Sequence, residues 1–239
     1  MVEFFTVLIP KYFPFLLEGA VVTLELSIVS MVFAVAIGLL CALGRTSGNA
    51  IVAAIGSVYV EVMRDVPLLV VLLVIYFTLP SIGISLPGFW AGVLGLSLNV
   101  GAYLSEVFRA ALGAVDKGEK EAALSLGMSR FAVFRRVTLP QAMRVAIPTV
   151  GGFFISLLKD SSLVSFIAVS ELMRQGTILI SNTFRSMEIY MMVAMIYFVM
   201  SFVASRIVKR VEHALTPRYL RVQVSTLKRA AAPPGTVPA

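Results

Sequence analysis

The sequence predicts an all-α membrane protein, about five transmembrane helices in one domain with a cytoplasmic helical hairpin between the third and the fourth. Three observations predict it. Of 239 residues, 59% are hydrophobic and 14% charged, far from the roughly 45–50% and 25% of soluble domains, and the mean hydropathy is +0.94. Charge-free runs recur at about the 20 residues that cross a bilayer. Lys and Arg gather in two blocks, Arg109, Lys117, Lys120, Arg130, Arg135, Arg136 and Arg144, then Arg206, Lys209, Arg210, Arg218, Arg221, Lys228 and Arg229. Such blocks mark cytoplasmic loops, so the formal charge of +7 reports topology and gives no reason to expect a nucleic-acid partner.

The N-terminus lacks a basic leader, and Pro10, Lys11, Pro14 and Glu18 interrupt its apolar run. A cleaved signal peptide is therefore not expected. The first span, residues 19–44, contains the charge-free run Leu26–Gly44 and the single cysteine, Cys41, read as span packing because it has no partner for a disulfide or metal cluster. The next charge-free run, Val66–Ser105, is broken by Pro80, Gly83, Pro87 and Gly88, residues that favour a turn. It reads as two spans folded back on each other, residues 58–79 and 89–110. A loop at 115–144, a fourth span at 145–169 and a fifth at 189–208 complete the transmembrane domain 1–216. The tail 217–239, rich in Pro, Ala and basic residues, is expected to be disordered.

Both basic blocks can lie inside only if the N-terminus and the Pro/Gly hairpin lie outside and the C-terminus lies in the cytoplasm. Two matching motifs, Glu61-Val-Met-Arg64 and Glu106-Val-Phe-Arg109, then fall at the cytoplasmic boundary with Glu and Arg on one helical face. They read either as interfacial ion pairs or as a charged rim beneath a transport pathway.

The loop is the least lipid-like segment. "KGEKEAALSLG" has good helix formers, a small pair at Ala122 and Ala123, and Gly127 where a helix can end in left-handed geometry. Ser129 suits an N-cap, "RFAVFRRV" gives a second amphipathic turn, and Leu139-Pro140 is expected to stop it. Two such short helices are marginal alone, so the hairpin must dock on something.

"EAALSLGMSRFAVFRRVTLPQAMRVAIP" resembles the EAA loop of permease subunits of ATP-binding-cassette (ABC) importers. Glu121, Ala122, Ala123, Gly127, Leu139 and Pro140 match the motif residue by residue. "VYVEVMRDVPLLV", "LSLNVGAYLSEVFRAAL" and "ISLLKDSSLVS" resemble blocks of its polar amino acid subfamily, the histidine-, glutamine- and cystine-type permeases. The resemblance implies the type I importer permease fold and a coupling loop seated on a dimer of ATPase subunits. It also implies a second permease chain, identical or homologous, an extracytoplasmic solute-binding protein, and residence in the inner membrane of a bacterium. ATP and Mg would be bound by the partner ATPase, with no cofactor in this chain. Two departures stand out. The family's Arg-Gly-Thr-Pro is Arg64-Asp65-Val66-Pro67, and its Gly-Asn is Gly151-Gly152.

The chain has no phosphate-binding loop of its own, since "GAVDKGEKE" carries Glu119 where lysine is needed. A membrane enzyme would need a convergent set of His, Cys or Ser, and the one histidine, His213, sits in the basic tail. An ion-gradient-driven secondary transporter would show inverted repeats, against which an odd span count argues.

Lys159 and Asp160 fall inside the fourth span. Charges at that depth face a wet interior or each other, so the pair either presents a cation and an anion to a zwitterionic cargo or holds the bundle together. Glu171, Arg174, Arg185 and Glu188 form the external charged cluster, where a binding protein would dock or water would solvate them. Phe89 and Trp90 suit an interfacial aromatic belt.

Overall fold

A computed structural model describes residues 9–215, and all regular structure among them is helical. The predicted tail 217–239 lies outside the described residues. Four helical runs are long and apolar enough to cross a membrane, and a bent pair of helices forms a possible fifth.

The first helix, α1, covers Ile9–Arg45, about 55 Å at 1.5 Å per residue, well beyond a ~30 Å hydrocarbon core. The span expected at 19–44 is its C-terminal two-thirds. Pro14 lies inside the helix near its start, where it removes only one early hydrogen bond. The C-terminal half of α1 lies along α4 (Gly88–Gly113) in the closest helix pairing of the molecule. A methyl added at Gly38 would sit 2.8 Å from Leu104 Cβ and 2.9 Å from the Gly101 carbonyl, and one added at Gly101 would sit 3.0 Å from Ile37. Ser97 of α4 donates to the Ser30 carbonyl of α1 at 3.1 Å. Small residues and interhelical hydroxyl bonds hold helices together where lipid supplies no hydrophobic drive.

The second expected span, residues 58–79, is not one helix. α2 (Ala50–Asp65) ends at Val66-Pro67, and α3 (Leu68–Thr78), extended by a 3₁₀ turn Leu79–Ile82, leaves at 106°. The cause is local. Proline restricts its predecessor to extended backbone, and Val66 has ψ 129°. α3 with its turn is about 24 Å long, short of a full crossing. α2 turns Ile51, Ile55, Val58 and Val62 outward as an apolar stripe, the surface a lipid-facing helix needs. Three bonds tie the elbow to α4: Tyr59 Oη to the Leu98 carbonyl at 2.6 Å, Asn99 Nδ2 to the Met63 carbonyl at 2.7 Å, and Tyr103 Oη to the Arg64 carbonyl at 3.4 Å.

After α4 comes the hairpin, α5 (Lys117–Ser125) and α6 (Arg130–Val133). Leu139-Pro140 does not stop the chain as expected. A π-helical turn, Phe134–Thr138, leads straight into α7 (Leu139–Asp160), because the shift of register leaves a spare acceptor where Pro140 has no N–H to give. Arg130–Ile167 is thus one helical run of 38 residues. A 3₁₀ segment, Ser161–Ile167, then α8 (Leu172–Thr183) and α9 (Ser186–Leu215) follow. Gly151, which keeps the glycine of the family's Gly-Asn, lies where a side chain would collide with Val208 of α9, whereas Gly152, the departing residue, faces open space.

Three apolar cores result among the described residues, the smallest of them Ala111, Val115, Ala142 and Ala146 between the end of α4 and the start of α7. Leu26, Leu72, Leu96, Leu104 and Leu157 join α1, α3, α4 and α7. Leu16, Leu172, Ile189 and Val193 join the start of α1 to α8 and α9.

Candidate functional site

A cavity of about 370 Å³ opens where the elbow, the middle of α4 and the end of α7 meet, and Arg64, Asp65, Pro67, Asn99, Tyr103 and Asp160 line it. The fold places each of them. Pro67 breaks the helix, so the backbone turns Arg64 and Asp65 at the end of α2 toward the same space as the start of α3. No side chain caps α3, which leaves its first N–H groups and the positive end of its dipole available there. Arg64 stacks over the Tyr103 ring at 5.5 Å, and Phe153 flanks that ring at 5.8 Å. Asp160 closes α7 on the far side. The cavity therefore presents a cation and a helix N-terminus opposite the Asp160 carboxylate, with Asp65 beside the cation and aromatic and amide groups between the walls.

Lys159 does not share it. Its side chain lines a separate groove of about 380 Å³ with Ser162, Met173, Tyr190 and Tyr197. Of the two readings of the pair, a joint clasp on a zwitterion is corrected, because successive residues on a helix point about 100° apart; the cation that lines the cavity with Asp160 is Arg64. Nothing in the sequence pairs Arg64 with Asp160, since their meeting depends on the elbow.

The rim motifs are also rearranged. Glu106 accepts from Arg45 Nη1 at 2.6 Å and from Arg109 Nη2 at 2.6 Å, so it bridges the end of α1 to its own helix. Arg45, the first charge after a charge-free run, is the partner that sequence reasoning missed. Glu61 and Arg64 form no ion pair among the described residues, because Arg64 turns to Tyr103 instead.

On the opposite side, Glu171 is not an exposed loop charge. It is fully buried as the N-cap of α8, accepting from the Met173 and Arg174 N–H groups at 2.9 and 2.8 Å and from Tyr197 Oη at 2.7 Å. The Thr23 hydroxyl lies 3.3 Å away. Burial pushes the Glu171 carboxyl above the ordinary carboxylate range, and the Met173, Tyr197, Arg174 and Thr23 hydrogen bonds only partly oppose it. One side chain thereby ties α1, α8 and α9 together.

In the hairpin, Asp116 caps α5 by accepting from Gly118 N–H at 2.6 Å, and Ser129 caps α6 by accepting from Ala132 N–H at 3.3 Å. Gly127, at φ 78°, ends α5 with a bond to the Leu124 carbonyl at 2.9 Å, while Met128 N–H reaches Ala123 at 3.2 Å, the double bond of a left-handed helix stop. The hairpin is fastened to the membrane body by Gln141, which donates to Glu119, and by Lys120 Nζ on the Leu112 carbonyl at 3.4 Å. Ala122 and Ala123 do not form one small docking face. Ala123 is turned inward at 7% exposure, whereas Glu121 and Ala122 face out. Beside them Leu126 and Phe131 are 84% and 71% exposed, an apolar patch flanked by the exposed Arg130, Arg135 and Arg136.

An all-helical membrane bundle with a polar cavity at a broken span and an apolar, cation-flanked hairpin at one end is the architecture of a transport subunit. The chain belongs to the family described as binding-protein-dependent transport system inner membrane component, whose model matches residues 34–217. It is 39% identical over 210 residues to the probable amino-acid permease YxeN of Bacillus subtilis, covering 87% of this chain and 94% of that one. To the glutamine transport system permease GlnP of Escherichia coli it is 39% identical over 204 residues, covering 84% and 93%. A crystal structure of an amino acid ABC transporter with histidines superposes with a TM-score of 0.81 at 40% identity, over 86% of this chain and 96% of that one.

Proposed function

We propose that this chain is the membrane-spanning permease subunit of an ABC importer, and that it moves a polar amino acid through the cavity at the α2–α3 elbow. The observation that carries the reading is the opposition of Arg64 and the uncapped start of α3 to Asp160 across one cavity. An α-carboxylate is held by a guanidinium and helix N–H groups, and an α-ammonium by a carboxylate. The names of the related permeases support the same cargo class.

ATP is bound and hydrolysed by a partner ATPase, which receives the hairpin through Glu121, Ala122, Leu126 and Phe131. The continuous run from Arg130 to Ile167 gives a rigid rod from that surface to Asp160, so movement of the hairpin reorients one wall of the cavity. A second permease chain closes the pathway, and an extracytoplasmic binding protein delivers cargo at the end where Arg174 and Phe184 stand. The N-terminus lies outside and the C-terminus in the cytoplasm, which keeps both basic blocks inside.

The test is ATP-driven amino acid uptake in vesicles carrying the chain with its ATPase and binding protein. Glu121→Lys, which reverses the charge on the exposed face of α5, abolishes uptake while membrane insertion is unchanged. Uptake at the wild-type rate would refute the coupling role.

A further inference from the structure

The charges that line the elbow cavity do not balance. Arg64 and the start of α3 answer a carboxylate, and Asp160 answers an ammonium. Asp65, next to Arg64 on the elbow wall, is a second acid in the lining, and no ion pair among the described residues includes it.

Its position is unfavourable for the helix that carries it. Asp65 is the last residue of α2, where the helix dipole is negative and an anion is disfavoured. The carbonyls of that last turn add partial negative charge, and two of them, Met63 and Arg64, already accept from Asn99 and Tyr103. A site for a neutral zwitterion needs one anion. This cavity holds two carboxylates against one guanidinium, so a neutral amino acid leaves Asp65 without a cationic partner there, whereas a cationic side chain supplies one.

Resting on the permease reading, we infer that Asp65 is a specificity-determining residue that selects cargo of net positive charge, a cationic amino acid whose side-chain nitrogen it receives while Asp160 holds the α-ammonium. A hydrogen bond between two charged groups is worth roughly 1.5–3 kcal/mol, which corresponds to a preference of about ten- to hundredfold.

The experiment is equilibrium binding of radiolabelled lysine and glutamine to the purified permease–ATPase complex without binding protein, so that only the membrane cavity selects. The wild type is expected to bind lysine at least about tenfold more tightly than glutamine. Asp65→Asn, which keeps size and polarity, and Asp65→Gly are both expected to weaken lysine binding until the two affinities are about equal, leaving glutamine unchanged. Asp160→Asn is expected to weaken both ligands. Equal wild-type affinities, or a lysine preference that survives both Asp65 variants, would overturn the charge selection. If Asp160→Asn still weakens glutamine in that event, the permease reading stands. If neither Asp65 nor Asp160 variants change the binding of either ligand, the cavity is not the cargo site and both proposals fall.

Discussion

Glu171 and Asp160 are two carboxylates only eleven positions apart in the chain, yet the fold treats them oppositely. Glu171 is fully buried and meets two backbone N–H groups, the Tyr197 hydroxyl and the Thr23 hydroxyl. Asp160 makes no hydrogen bond or ion pair to the protein among those described and faces a cavity whose other wall carries a guanidinium. A charge whose bonds are all made within the protein is structure, because removing it strands its donors. A charge left facing an open polar cavity is available to something that comes and goes. The difference separates a carboxylate that fastens three helices from one that lines the elbow cavity.

The largest effect should come from breaking the satisfied side. Glu171→Ala removes a helix cap worth about 1 kcal/mol and leaves the half-buried Tyr197 hydroxyl without its carboxylate partner, for about 1–3 kcal/mol more. Thermal unfolding in detergent is expected to show a loss of about 3 kcal/mol. pH sharpens the same point. Because burial raises the Glu171 carboxyl in the folded chain, the unfolded chain loses that proton at lower pH. The stabilisation it gives is present below the ordinary glutamate range and is lost as pH rises through the raised folded value. The unfolding temperature of the wild type therefore falls with rising pH across that window, and Glu171→Gln is expected to flatten the slope.

The rim offers a smaller contrast of the same kind. Glu106 bridges Arg45 and Arg109, while Glu61 has no ion pair among the described residues. Glu106→Ala should cost about 1 kcal/mol, as partly exposed pairs do, and Glu61→Ala should fall within about 0.5 kcal/mol of the wild type. Equal losses in the two variants, measured by thermal unfolding, would erase the distinction.

What the sequence made legible was local. Gly127 and Ser129 announce the ends of α5 and α6 because a left-handed stop and an N-cap depend on neighbouring backbone alone. The charge-free runs locate apolar helices, but hide where they bend. Val66-Pro67 follows Arg64-Asp65 and opens a long apolar run, where a proline also suits an ordinary helix start, so the elbow that builds the cavity is easily passed over, and the tolerance of Pro140 depends on a π turn that no spacing announces. Arg45 finds Glu106, and Glu171 finds Thr23 and Tyr197, across 61, 148 and 26 positions of chain. Those meetings are set by helix packing, through close approaches such as Gly38 on Gly101, and a single sequence does not encode them in any periodic signal. The divergence of Lys159 and Asp160 follows from helical geometry, but the cavity each enters does not.

The central claim is that cargo passes the elbow cavity and is held there by Asp160. Its most direct test is ATP-driven amino acid uptake by the reconstituted complex carrying Asp160→Asn, with thermal unfolding measured on the same sample. The account predicts uptake reduced at least about tenfold, the loss of a charged hydrogen bond, with stability within about 0.5 kcal/mol of the wild type. Uptake at the wild-type rate from an equally stable protein would contradict it and place the cargo elsewhere in the bundle.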